Sequence, residues 1–208
     1  MKNGNSQTDE SVLIGYAQKG DLDAFNRLVI LYQDLVYNQA VRVMGDDAAA
    51  QDATQEAFIS AYRNIKGYRG GSFRAWMLRI VTNACYDELR RRRRRPSIPL
   101  EPQDEEGEEI ESPQWIIDPG EQPEFHLERK DLEKAIQHCL EELPFDFREV
   151  VVLVDLQGLD YLEAAEASGK PLGTIKSRLA RARGRLRDCL KSFGELLPAE
   201  FRLEDEER

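Results

Sequence analysis

Apolar residues recur three and four positions apart through most of the chain, and strict alternation never persists beyond a few residues, so the pattern predicts helices and little strand. Helical spacing is expected over residues 9–19, 22–44, 47–66 and 72–95, with Asp21, Asp46 and Ser72 placed to cap the helices that follow them. A second series is expected over 127–143, 145–156, 160–168 and 173–193. Its last two members are joined by "EASGKPLG", where Gly169 and Pro171 suit the short turn of a helix-turn-helix pair. Between the two series, Pro96 to Phe125 hold six prolines, many acids and almost no periodicity, a composition that buries too little apolar surface to fold alone. The expected fold class is all-α: two small helical domains, 1–95 and 127–197, joined by a flexible acidic linker, 96–126, and followed by an acidic tail, 198–208.

On the last helix, "GTIKSRLARARGRLRDCL", a turn of about 100° per residue puts Ile175, Leu179, Ala182 and Leu186 on one line, the core face. Opposite lie Ser177, Ala180 and Gly184, flanked by Lys176, Arg183 and Arg187 on one side and Arg181, Arg178 and Arg185 on the other. Small residues at the centre with cations at the rims let a helix enter a major groove while its edges meet phosphates.

The helix over 72–95 turns Phe73, Met77, Ile80, Val81 and Ala84 inward and presents Trp76, Arg79, Asn83, Tyr86 and Arg90 on the other side. Aromatic, guanidinium and amide groups in one stripe stack unpaired bases and hold phosphates, the chemistry of single-strand capture, although Trp76 and Tyr86 could equally pack under a neighbouring helix. Tyr68, in the preceding loop "GYRGGSF", adds an aromatic beside two glycines where a flipped base could be received. On the helix over 47–66, Asp52, Gln55 and Glu56 share the polar face, away from the Phe58, Ala61, Tyr62 and Ile65 stripe.

The net charge of -10 over 208 residues argues at first against a nucleic-acid partner. Its distribution reverses that impression. Residues 1–95 carry 15 Lys/Arg against 11 Asp/Glu, residues 96–131 carry 2 against 12, and residues 170–191 carry eight basic side chains against Asp188 alone. Two basic patches, 90–95 and 170–191, therefore flank an acidic middle, and each is a candidate for binding a polyanion. The three cysteines, Cys85, Cys139 and Cys189, are scattered without a C-x-x-C pair, so neither a disulfide framework nor a zinc site is indicated and reduced thiols in a cytoplasm are expected. The polar start "MKNGNSQTDE" does not have the pattern of a signal peptide, and no apolar run is long enough to span a bilayer.

With these stretches in view, the chain resembles the extracytoplasmic-function (ECF) sigma factors of the sigma-70 family. Its first half is similar to the sigma-2 domain through "QDATQEAFISAYRNIKGYRGGSFRAWMLRIVTNACYDELRRR", its second to sigma-4 through "LPFDFREVVVLVDLQGLDYLEAAEASGKPLGTIKSRLARARGRLR". The resemblance implies that the chain binds core RNA polymerase and directs it to promoter DNA. Thr174, Lys176, Ser177, Arg178, Ala180 and Arg181 would read the duplex minus-thirty-five element. The loop around Tyr68 and Asn83 would contact the flipped-out minus-ten strand, joined by Trp76, Arg79, Tyr86 and Arg90 of the stripe read above, and Asp52, Gln55 and Glu56 would dock on the clamp helices of the largest polymerase subunit. The resemblance also suggests an anti-sigma partner. Lys170 departs from the family, standing in the turn where an apolar residue is usual, and no sigma-3 domain fills the long linker.

Residues 96–131 reach about 120 Å at most but average nearer 35 Å as a flexible coil, against about 70 Å for two turns of duplex, so a partner has to hold the two readers apart. The acidic stretch is expected to compete with DNA for the neighbouring arginines until polymerase binds. The alternative function is a stand-alone helix-turn-helix regulator, which leaves the Trp76 to Arg90 stripe without a role. An enzyme is not expected: His126 and His138 have no triad or ligand spacing, no Gly-rich phosphate loop occurs, and the pattern calls for no cofactor or metal.

Overall fold

The computed structural model describes residues 4–94 and 123–196, and among these it is built of helices alone. Residues 95–122 and 197–208 lie outside the described residues, and with them the expected tail, 198–208, and all but the end of the expected linker, 96–126, with its masking of the arginines; the linker's last four residues, 123–126, instead open a helix. In the first half α1 (Gly4–Gln18), α2 (Leu22–Met44), α3 (Asp47–Asn64) and α4 (Phe73–Arg94) form a bundle. The caps fall where the sequence puts them: Asp21 accepts from the Ala24 amide at 3.0 Å, Asp46 from Ala49 at 2.8 Å, and Ser72 from Ala75 at 3.2 Å. Helix α2 stops at Gly45, whose φ of 73° is left-handed and whose amide returns to the Val41 carbonyl.

Helix α3 buries a row of alanines, Ala49, Ala53, Ala57 and Ala61, one turn apart. With no long side chain on that face, α2 and α4 approach it closely and bring their outer edges together into grooves. Leu28, Val36, Met77, Leu78 and Val81 fill the remainder of the bundle, and Gln39 donates to Thr82 at 3.2 Å inside it.

The second half comprises α5 (Pro123–Glu141), α6 (Phe145–Val151) running into a π-helical turn over Val152–Leu156, α7 (Tyr161–Ser168), α8 (Leu172–Leu190) and a 3-10 stretch over Lys191–Leu196. Asp160 and Glu163 close a capping box on α7, and Gly169, at φ 63°, ends it. Lys170 is exposed, its amide bonded back to the Ala165 carbonyl at 3.1 Å, so the turn closes through its backbone without an apolar side chain at that position.

One cysteine expectation is overturned. Cys139 on α5 and Cys189 on α8 form a disulfide, their Cα atoms 5.8 Å apart. The 49 residues between them fold into helices that return α8 to α5, which spacing along the chain does not reveal. Cys85 is free and buried, and desolvation pushes its thiol up to about 12.

The two halves share an apolar interior. Helix α7 packs on α4, and the end of α2 meets α5 and α6. The Arg148 guanidinium on α6 donates to the Val43 carbonyl at 2.6 Å and to the Glu141 and Leu143 carbonyls at 2.6 and 3.2 Å, thereby satisfying the C-terminal carbonyls of helices from both halves. Arg42 reaches Gln137 at 3.4 Å, Arg74 donates to the Gln157 carbonyl, and Tyr86 stacks near Phe145 with centroids 5.2 Å apart.

Candidate nucleic-acid interface

Helix α8 exposes the face opposite its core. Ile175, Leu179 and Ala182 are buried, while Lys176, Ser177, Ala180 and Arg181 are exposed and Thr174 is half-buried at the rim. Among the described residues Lys176 and Arg181 have no ion-pair or hydrogen-bond partner. Arg178 is placed differently. Its Nη2 lies 2.8 Å from the Asp146 carboxylate on α6, and only 21% of its side chain is exposed. On the opposite flank Arg183 grips Asp155 through two bonds of 3.0 and 2.5 Å, while Arg185, on the same flank as Arg178, lies over the Phe147 ring at 5.0 Å. The flanking cations that the helical wheel treats alike thus fall into a free set and a docked set.

Beneath Arg178 lies Glu149, 5% exposed. Burial raises its carboxyl to about 7, with the Asp146 charge adding to the rise and Arg178 and Lys170 opposing it.

In the first half Trp76, Arg79 and Asn83 line one groove between α3 and α4 together with Glu56, Ser60 and Asn64. Trp76 is half-buried against Tyr68 and Phe73, with centroids 5.4 and 5.2 Å apart. The Tyr68 loop is shaped by its glycines: Gly70 and Gly71 both have φ above 90°, the Tyr68 hydroxyl donates to the Gly71 carbonyl at 2.8 Å, and Gln18 of α1 donates to the Tyr68 carbonyl at 2.7 Å. Burial raises the Tyr68 phenol pKa, helped by the Glu10 and Glu166 charges.

Two predicted members of the stripe stand apart from this groove. Tyr86 turns to Phe145 of the second half, and Arg90 covers the Tyr86 ring at 5.5 Å and lines a separate cleft with Asp87, Arg91 and Arg94. The helix surface bends the stripe because α6 competes for the Tyr86 ring. Along the arginine run, Arg91 pairs with Glu88 at 2.7 Å, and Arg92 pairs with Glu88 and Asp46 at 3.0 and 3.1 Å.

Asp52, Gln55 and Glu56 are exposed on α3 and line an adjoining groove with Ile59, Asp87 and Arg91. Glu56 and Asp87 border both grooves, so the acidic surface and the aromatic surface are continuous. Sequence reasoning missed Ser60 and Asn64, although their spacing from Glu56, one and two turns on, carried the signal. It also missed Asp146 and Asp155, which carry none. Among the described residues no His/Cys/Asp/Glu group could hold a metal, and no helix is long and apolar enough to cross a membrane.

Comparison with known proteins finds the sigma-70 region 2 family over residues 28–95 and sigma-70 region 4 over 133–186. The RNA polymerase sigma-H factor of Pseudomonas aeruginosa is 36% identical over 179 residues, 86% of this chain and 92% of its own. The ECF RNA polymerase sigma-E factor of Escherichia coli is 37% identical over 183 residues, 86% of this chain and 93% of its own. Among solved structures, CnrH in complex with the cytosolic domain of CnrY matches with a TM-score of 0.61 at 24% identity, over 88% of this chain and 98% of that one. The sigma factor RpoE of Bartonella quintana, in complex with the anti-sigma factor NepR, matches at 0.60 and 23%, over 82% and 98%. At those identities the structural likeness bears on the fold.

Proposed function

The chain belongs to the sigma-70 family as an ECF RNA polymerase sigma factor, and from that premise we propose how its surfaces divide the work of starting transcription. The outer face of α8, with Thr174, Lys176, Ser177, Ala180 and Arg181, reads the duplex minus-thirty-five element. The α3–α4 groove, with Trp76, Arg79 and Asn83 beside the Tyr68 loop, receives the melted minus-ten strand, and Arg90 and the arginines after it hold phosphates. Asp52, Gln55 and Glu56 dock on the clamp helices of core polymerase. The work is done in the cytoplasm, where polymerase and promoter are met.

The observation that carries this reading is that two exposed surfaces of different chemistry, one basic with small residues and one aromatic with amides, stand on different halves of one chain. A stand-alone regulator would use the first and leave the second idle. Two turns of duplex span about 70 Å, so both elements are read at once only after α7 leaves α4. Core polymerase supplies that separation, and an anti-sigma factor that clasps the closed pair prevents it.

The test is run-off transcription with purified core polymerase on a random promoter library. Promoter-dependent transcripts that share two elements about two turns apart are expected. No association with core enzyme and no transcripts would overturn the reading.

A further inference from the structure

Helix α8 carries more arginines than its outer face can use. Arg178 lies one residue after Ser177 and Arg183 two after Arg181, yet both side chains run back along the flanks to acids on the preceding elements. Arg178 meets Asp146 on α6 at 2.8 Å, and Arg183 meets Asp155 in the π-helical turn at 3.0 and 2.5 Å. The two arginines sit about 140° apart around the helix, one on each side of the Ile175, Leu179 and Ala182 line. Arg185, two turns beyond Arg178 on the same flank, lies over Phe147.

Core packing through Ile175, Leu179 and Ala182 and the Cys139–Cys189 bond fix where α8 lies, and Arg178 and Arg183 hold its two flanks within the stretch that faces outward. A pair of arms on opposite flanks resists rotation in both directions. A roll of about 20° moves a side-chain tip some 6 Å from the axis by about 2 Å, enough to break a hydrogen bond to a base edge.

We propose that Arg178 with Asp146 and Arg183 with Asp155 are positioning pairs that set the roll of α8, and so determine base preference at the minus-thirty-five element through Lys176, Ser177, Ala180 and Arg181 without contacting bases themselves. This rests on the reading of α8 as the duplex reader, and it removes Arg178 from the set of residues that touch DNA. Asp146 and Asp155 thereby become determinants of specificity, although both are acids and neither attracts a phosphate.

The experiment uses the full chain with core polymerase on a library randomised in the upstream element, with promoter binding followed against salt. Asp146→Ala and Asp155→Ala are each expected to flatten base discrimination about five-fold or more. Arg178→Ala should do the same while leaving the salt slope unchanged, whereas Arg181→Ala lowers that slope by about 1. The exchanged pairs Arg178→Asp with Asp146→Arg, and Arg183→Asp with Asp155→Arg, should restore discrimination to within about two-fold of the parent, which no direct DNA contact would allow. Thermal melting of each variant separates lost fold from lost positioning, and the exchanged pairs decide the matter if a single variant unfolds. Discrimination kept in the two Asp→Ala variants, or tighter binding by them, would overturn the proposal, as would failure of well-folded exchanged pairs to restore it. A parent holoenzyme with no upstream preference would instead refute the reading of α8 as a duplex reader, and this proposal with it.

Discussion

Arg148 on α6 donates to the carbonyl of Val43 at the end of α2, at 2.6 Å and across 105 residues of chain. The same guanidinium serves Glu141 and Leu143, so three carbonyls depend on one side chain. Arg148→Ala is expected to cost about 2–4 kcal/mol in urea unfolding, because those acceptors lose their donor in a partly buried place. Arg148→Lys recovers part of it, having donors but no planar fork to span them. A loss under about 0.5 kcal/mol would show that water replaces the guanidinium freely.

Arg42 and Gln137 face each other across the seam between the halves at 3.4 Å. Cysteines at both positions, joined by a short cleavable bis-maleimide in a Cys139→Ser, Cys189→Ser background, should abolish run-off transcription, and cleavage of the linker should restore it. Full activity with the link intact would mean that promoter reading needs no opening.

Glu149 is expected to imprint a pH slope on stability. Its folded value of about 7 lies above the ordinary 4.5, so between those limits the folded chain holds a proton that the unfolded chain releases. Stability from this group is therefore present at low pH and lost as pH rises through the window, by up to about 3 kcal/mol. Glu149→Gln should remove the slope and melt higher than the parent above pH 7. Parallel melting profiles for the two would refute the assignment.

The Cys139–Cys189 bond closes a loop of 50 residues. On chain-entropy grounds its reduction should lower stability by about 4 kcal/mol. Denaturant titration with and without dithiothreitol checks this, and Cys139→Ser should match the reduced parent. Reduction without effect on the midpoint would show that packing between α5 and α8 alone holds the pair.

Arg181, exposed and unpaired among the described residues, should behave as a reader. Arg181→Ala is expected to cost about 1–3 kcal/mol in promoter binding and to relax one base position. Neutralising Arg90 or Arg94 should weaken all sequences alike and reduce the salt slope by about 1 for each charge removed. A uniform loss for Arg181→Ala would place it with the phosphate contacts.

What the sequence discloses and what it conceals follow from the range of the interaction. Asp21, Asp46 and Ser72 cap their helices by accepting from amides three residues on, and the Ile175, Leu179, Ala182 line is a local period, so both are legible in a window of a few turns. The two surfaces of α3 and α8 are legible for the same reason. Arg178 and Asp146 lie 32 residues apart and Arg183 and Asp155 lie 28 apart, joined only because the turn at Gly169 folds α8 back over α6. Tyr86 shares the stripe by its position on α4, but its ring packs against Phe145, 5.2 Å away in the other half. The cysteine pair is hidden likewise, since nothing in its spacing specifies which helices become neighbours.

The interior shared by the two halves also bears on how tightly any partner that needs them apart is held. Only the fraction of molecules already open is competent to bind, so the measured dissociation constant exceeds the intrinsic one by the reciprocal of that fraction. Substitutions at the seam, far from every contact with polymerase or DNA, would then shift both affinities by one common factor.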